Sequence, residues 1–100
     1  MSIQSNYADD AKEMTILVDG RFDFSHHKDF RDAYKSAPHG VNFVVDLTKT
    51  QYMDSSALGM LLLLREHAGG DSSKVFIIGC SDEIRKILNL SNFNKMFNIK

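Results

Sequence analysis

The chain has 100 residues and a mass of 11.3 kDa; 43% of its residues are apolar, 25% are charged, and its net charge is −1. These values are ordinary for a soluble globular domain and argue against a disordered, collagen-like or coiled-coil protein. A chain of this mass should fold with an accessible surface of roughly 5,700 Å², about one third of its unfolded surface. We therefore expect a single domain over residues 1–100, with no charge excess that favours nucleic acid or an anionic membrane.

Cysteine content and apolar runs indicate the compartment. The single cysteine, Cys80, excludes an intrachain disulfide and a cysteine-built zinc site, and it suits a reducing environment. The first ten residues lack the basic start and the apolar stretch of a signal peptide. The longest apolar run, Met60–Leu64, is far shorter than the roughly 20 residues that span a membrane. These features predict a cytoplasmic protein without a membrane segment.

The first half of the chain predicts two strands and a helix. Ser2–Ala8 is typical of an edge strand, and the alternation over Met14–Val18 predicts a second strand, ending at Gly20, that pairs with the first as a hairpin. Ser25 predicts the N-cap of a helix that ends at Pro38. The inner face of this helix is expected to consist of the apolar residues at helical spacing, which are Phe30, Ala33, Tyr34 and Ala37.

The second half predicts two further strands, each followed by a helix. Val41–Leu47 is almost unbroken in its apolar character, which is typical of a parallel strand buried on both faces. A helix is expected over 54–68, then a strand at Val75–Ile78 and a helix capped by Ser81. The tail, Phe93–Ile99, is spaced like a last helical turn that packs back on the core.

Strands that alternate with helices imply right-handed crossovers and a mostly parallel sheet. We therefore predict an α/β fold with a small four-stranded sheet, whose first strand is an antiparallel edge, and three to four helices. Within the helix over 54–68, five consecutive apolar residues point to every side, although a helix on a sheet buries about one stripe. The residues expected to face the sheet are Leu58, Leu61, Leu62 and Arg65. The remaining ones are either covered by the neighbouring helix or form an exposed patch for a protein partner.

The carboxyl ends of parallel strands meet at one edge, where sites form in such sheets. This places Asp23, Asp54, Ser55 and Ser56 together. Two interpretations of the serines remain open. Either they cap the helix, or one is a phosphorylation site whose phosphate meets free N–H groups of the helix start and repels a partner through its charge.

Enzymatic signals are weak. No G-x-S-x-G motif surrounds Ser55, and no phosphate-binding loop is present, so a serine nucleophile would have neither a recognisable oxyanion site nor a nearby base. The histidines lack metal-ligand spacing; they are His26, His27, His39 and His67. We expect no metal and no cofactor, and a packing role for Cys80.

Several segments together resemble a known family. Residues 53–59, MDSSALG, lead into a leucine-rich helix and resemble the signature of the STAS domain of anti-sigma-factor antagonists. Residues 20–23, GRFD, resemble the motif that follows strand two in that family, and residues 44–47, VVDL, resemble its next strand. The segments 84–88 and 93–99 are similar to its C-terminal pattern. A departure is Ala57, where many members have glycine.

The resemblance implies a cytoplasmic bacterial switch without catalytic activity. Such proteins bind an anti-sigma factor with an ATP-binding kinase-like fold, which phosphorylates the serine directly after the aspartate; here that is Ser55. A serine phosphatase restores the binding form. The residues expected to contact the partner are Asp23, Asp54, Ser56, Ala57, Leu58, Gly59 and Met60. The alternative is a STAS subunit of a constitutive lipid-transport or stress-signalling complex, in which Ser55 only caps the helix.

Overall fold

The structure is a computed structural model that describes residues 2–10, 12–35, 37, 40–70 and 74–100. Its strands are β1 (Ser2–Ala8), β2 (Glu13–Phe22), β3 (Asn42–Asp46), β4 (Thr50–Met53), β5 (Val75–Ile78) and β6 (Asn98–Ile99). Its α-helices are α1 (His27–Lys35), α2 (Ser55–Ala68) and α3 (Asp82–Leu90). Short 3₁₀ turns lie at Phe24–His26 and Phe93–Lys95. Pro38, the predicted end of the first helix, lies outside the described residues.

The sheet is mostly parallel, as predicted. Its strand order is β1-β2-β3-β5-β6, and β4 pairs with the far end of β2. Only β1 and β2 pair in antiparallel orientation among the described strands, and the other pairs are parallel. The α/β class and the antiparallel edge are thus confirmed. The structure also contains two strands that were not predicted, β4 and β6. Strand β6 forms from part of the tail that was expected to be helical.

Strand β2 continues beyond Gly20, so the predicted end at that glycine is wrong. Gly20 has a φ of +98° and lies where the pairing register shifts, which lets the strand bend without stopping. Its amide donates a hydrogen bond of 3.0 Å to the carbonyl of Lys49. The buried Thr50 hydroxyl donates to the Val18 carbonyl at 2.7 Å. These bonds hold β4 beside the end of β2.

The core lies between the helices and one face of the sheet. Along β2, Met14, Ile16 and Val18 are buried while their neighbours are partly exposed, and β3 alternates in the same way. The prediction that Val41–Leu47 is buried on both faces is therefore wrong. The total accessible surface is 5960 Å², close to the value expected for the mass. Within the described part of the chain, no helix is long and apolar enough to cross a membrane.

Helix α2 packs with a different face from the one predicted. Leu61 is fully buried as expected, but Leu62 is 38% exposed, and Leu58 and Arg65 are only half-buried. The residues of α2 that enter the core are Ala57, Met60, Leu61 and Leu64. Helix α2 contacts α1, and its buried residues belong to the same core cluster as those of the sheet, so its buried stripe is turned toward α1. Leu63 remains 62% exposed.

Candidate functional site

The ends of β2 and β4 bring two aspartates to one edge of the sheet. Phe22 pairs with Met53, and the Asp54 amide donates to the Phe22 carbonyl at 3.4 Å. Asp23 and Asp54 therefore follow directly after paired residues on neighbouring parallel strands. The predicted convergence of Asp23, Asp54 and the serines at this edge agrees with this arrangement.

Asp54 is the N-cap of α2. Its backbone is extended, with φ −116° and ψ −175°, and its Oδ1 accepts the amides of Ser56 at 3.0 Å and Ala57 at 3.4 Å. These two amides are among those that a helix leaves unpaired at its start. The expectation that a phosphate on Ser55 would meet free N–H groups is therefore corrected, because the Asp54 carboxylate already holds two of them.

The two serines differ in their surroundings. The Ser56 hydroxyl is half-buried and donates to Asp54 Oδ1, so it belongs to the cap. Ser55 is exposed, and its hydroxyl makes no hydrogen bond with the described residues. The interpretation of Ser55 as a helix cap is therefore wrong, since Asp54 has that role. Ser55 is the more exposed serine of this pair, and its hydroxyl is not used by the cap.

Asp23 builds a similar turn beside this helix start. Its Oδ1 accepts the amide and the hydroxyl of Ser25, and its Oδ2 lies 3.3 Å from Arg21 Nε. The Ser25 bonds, with help from Arg21, hold the pKa of the Asp23 carboxyl below its usual value, although partial burial opposes the shift. Asp23, rather than the predicted Ser25, caps the 3₁₀ turn that precedes α1.

Asp46, the last residue of β3, builds a third turn of this kind at the same edge of the sheet. Asp46 Oδ1 accepts the amide of Thr48 at 2.9 Å and also its hydroxyl. Thr48 in turn packs against the backbone of Gly79, which has a φ of +74° at the end of β5. A Cβ on Gly79 would come within 2.8 Å of the Thr48 amide nitrogen, so only glycine fits there. The ends of β3 and β5 are thereby held together at this edge of the sheet.

Exposed aromatic side chains flank the site, and sequence reasoning missed them. Phe24 is 64% exposed and stacks on His27 with 4.3 Å between ring centroids. Tyr52 is 41% exposed, and the Arg21 guanidinium lies 4.0 Å from its ring centroid. Tyr52 was missed because β4 was missed. The exposure of Phe24 could have been predicted, since it is a large apolar residue between the aspartate and the serine of a turn.

Five of the predicted contact residues are accessible at least in part. Gly59 is exposed, whereas Asp23, Asp54, Ser56 and Leu58 are half-buried at the surface. The other two lie in the core: Ala57 is 0% exposed and Met60 is 6% exposed. The Ala57 side chain is enclosed in the core, so we correct the prediction and leave Ala57 out of the contact set. Met60 is left out of the contact set around Ser55, because its side chain faces a groove between α1 and α2 instead.

The groups needed for metal or thiol chemistry are not assembled in the part of the chain that the structure describes. No cluster of three or more His, Cys, Asp or Glu side chains there could hold a metal ion. Burial raises the pKa of the Cys80 thiol, which disfavours the reactive thiolate.

Comparison with known proteins gives the family. The family model described as "Mlab, STAS domain" matches residues 5–98. A STAS-domain containing protein of Pseudomonas aeruginosa (strain UCBPP-PA14) is 52% identical over 100 residues, which cover 99% of each chain. Of the solved structures, the antisigma-factor antagonist STAS domain from Rhodobacter sphaeroides is 25% identical, with a TM-score of 0.55 over 78% of this chain and 85% of that one.

The fold is also that of SpoIIAA. The unphosphorylated form of this anti-sigma factor antagonist has a TM-score of 0.74 and 15% identity, covering 99% of this chain and 87% of that one. The phosphorylated Bacillus form has a TM-score of 0.69 and 15% identity, covering 99% and 91%. At this identity the likeness concerns the fold. The family model and the Pseudomonas relative carry the assignment: the chain belongs to the STAS domain family.

Proposed function

We propose that the protein is an anti-sigma-factor antagonist whose binding is switched by phosphorylation of Ser55. The observation that carries the proposal is the exposed Ser55 hydroxyl at the start of α2, free of hydrogen bonds to the described residues, beside a helix cap that does not use it. Such a hydroxyl is open to a kinase, and its modification leaves the cap bonds intact.

Charge explains how the switch would act. A phosphate adds nearly two negative charges at neutral pH, next to the carboxylates of Asp23 and Asp54. Because Asp54 already holds the amides of Ser56 and Ala57, the phosphate would project toward solvent rather than replace the cap. A partner that docks on this edge would then meet a concentrated negative charge, and binding would weaken without a change of fold.

The surface around Ser55 offers apolar and aromatic contacts for such a partner. Phe24, Tyr52 and Leu62 are exposed large side chains, and Gly59 leaves open space on α2 one turn after Ser55. Aromatic residues at the centre of an interface often carry most of the binding energy. We add Phe24 and Tyr52 to the predicted contact residues Asp23, Asp54, Ser56, Leu58 and Gly59.

The relatives support the choice of partner. SpoIIAA is an anti-sigma factor antagonist with phosphorylated and unphosphorylated forms, and the Rhodobacter relative bears the same description. We therefore propose an anti-sigma factor of kinase-like, ATP-binding fold as both partner and kinase, and a serine phosphatase that reverses the modification. The proposal includes a cytoplasmic bacterial location and no catalysis, metal or cofactor in the protein itself.

Mass spectrometry tests the modification. Protein isolated from cells that carry or lack the phosphatase should show a phosphate on Ser55, enriched when the phosphatase is missing. Ser56→Ala is the matched control, since it keeps Ser55, the proposed site of phosphorylation. Ser55→Ala should abolish the phosphate detected by mass spectrometry. A phosphate on Ser56, or none in either strain, would contradict the proposal.

A constitutive complex is the second candidate. The exposed Leu62 and Leu63 on α2 favour it, because neighbouring apolar side chains at a surface suit permanent docking. In that case the protein would purify from its native cell with a stoichiometric partner whatever the residue at position 55. Recovery of the protein alone from phosphatase-deficient cells would favour the switch.

A further inference from the structure

A groove of about 480 Å³ runs between α1 and α2, on the side of α2 that faces α1. Its floor is formed by buried side chains of the core, among them Tyr34 and Met60. Leu63, which is 62% exposed, stands at its edge. The groove does not include Ser55.

The walls of the groove carry basic groups. His27, Arg31 and Lys35 recur every four residues along α1, so they form one row of about 12 Å. His67 lies opposite on α2, and its ring is 5.0 Å from that of Tyr34. No acidic residue lines the groove in the described part of the chain. Asp32 is the nearest recorded counter-charge, 4.0 Å from Lys35 and exposed, so this pair is weak.

The row is partly preorganised. His27 Nδ1 lies 3.1 Å from the Phe24 carbonyl oxygen, and because that oxygen only accepts, Nδ1 is the donor. The same ring stacks on Phe24 at an interplanar angle of 6°. The imidazole at the head of the row is therefore fixed, while Arg31 and Lys35 remain exposed and free to reach a ligand.

An apolar floor beside the cationic side chains of Arg31 and Lys35 favours one kind of occupant. We propose that the groove binds an acidic amphipathic helix of a partner protein, whose apolar side chains pack on the floor and Leu63 and whose carboxylates pair with Arg31 and Lys35. Carboxylates one helical turn apart match the spacing of Arg31 and Lys35, since both follow a helix rise. A small anion would leave the apolar floor and Leu63 uncovered. This goes beyond the proposed function, because it does not require Ser55 to be modified.

The probe is a synthetic amphipathic peptide of about 18 residues with leucines along one face and flanking glutamates, a length at which isolated helices form. Amide chemical shifts of the ¹⁵N-labelled protein should change along α1 and the facing side of α2. The same peptide with lysine in place of glutamate should bind at least about tenfold more weakly, because the charge pairs become repulsive.

Charge reversal in the protein completes the test. In the double variant R31E/K35E, the preference should invert, so that the lysine peptide binds more tightly than the glutamate peptide; thermal unfolding checks that the variant folds. Absence of shifts, shifts confined to another surface, or equal binding of both peptides would overturn the proposal. Equivalent groove shifts with inorganic phosphate, or with vesicles rich in anionic lipid, would also overturn it in favour of those ligands.

The groove proposal and the proposed phosphorylation switch can fail independently of each other. If Ser55→Asp failed to weaken binding of the anti-sigma factor while the glutamate peptide still bound the groove, the proposed function would fail and the groove would stand. If Ser55→Asp weakened that binding while the peptide did not bind, the groove alone would be rejected.

Discussion

Asp54 accepts hydrogen bonds from both the amide and the hydroxyl of Ser56, and so binds this serine into the cap of α2. Ser55, one residue earlier, takes no part in this arrangement. The start of the helix thus uses one of two adjacent serines in its cap and leaves the other exposed.

The first prediction concerns the cap. Asp54→Ala should lower the free energy of unfolding by about 1 kcal/mol, because the Ser56 amide loses its acceptor and the Ala57 amide keeps only the backbone carbonyl of residue 54. Ser55→Ala should change it by less than about 0.5 kcal/mol, since an exposed hydroxyl is removed. Urea denaturation of both variants measures the difference. A loss at Ser55 equal to that at Asp54 would restore the idea that Ser55 is the cap.

The second prediction uses two glycines. Gly59 lies within α2, where an added Cβ meets nothing within 4 Å, so Gly59→Ala should stabilise the fold by about 0.5 to 1 kcal/mol. Gly79→Ala is the opposite case, because its φ is positive and its Cβ would clash with Thr48. It should destabilise by more than about 1 kcal/mol. Thermal unfolding compares the pair, and the same sign for both would contradict the structure.

The third prediction is a pH dependence at Asp23. Its pKa is lowered in the folded protein, so its stabilising effect is complete above the usual carboxyl pKa and is lost as the pH falls through the folded value. The stability difference between the wild type and Asp23→Asn should therefore shrink between about pH 7 and about pH 3. Denaturant unfolding across this range measures it; a difference that grows on acidification would be inconsistent with the lowered pKa.

The fourth prediction distinguishes neighbouring leucines of α2. Leu61 is fully buried, so Leu61→Ala should destabilise by about 2 to 5 kcal/mol. Leu62 is 38% exposed, and Leu62→Ala should cost about 1 kcal/mol or less. Chemical denaturation of the two variants is the measurement. Equal losses would mean that both leucines face the core, as the sequence pattern suggested.

Much of this fold could be predicted from short stretches of the sequence. Ser81 caps α3 as expected, and a cap among Asp54 and the two serines after it was expected for α2, because a cap depends on a few adjacent residues. The apolar runs around Val45 and Ile77 form parallel strands as expected, since strong β-propensity and flanking turns mark them. The edge position of Asp23 and Asp54 followed from the rule that parallel strands end together.

Features that depend on tertiary neighbours were missed. Thr50–Met53 is a strand because β2 extends past Gly20 and offers it a partner, and the segment itself shows no alternation. Met60–Leu64 is apolar on every side, so its sequence contains no period from which the buried face follows. The occupation of the helix amides by Asp54 is a matter of side-chain geometry, which the motif alone does not specify.

The phosphorylation switch is tested most directly by comparing how much partner protein binds to variants with and without a negative charge at residue 55. Wild-type, Ser55→Ala and Ser55→Asp proteins are used as bait in lysate of the native cell, and the bound proteins are quantified by mass spectrometry. We expect an anti-sigma factor of kinase-like fold on the first two baits and its depletion, by about tenfold or more, on the third. Equal recovery on Ser55→Ala and Ser55→Asp, with all three baits folded, would contradict the switch.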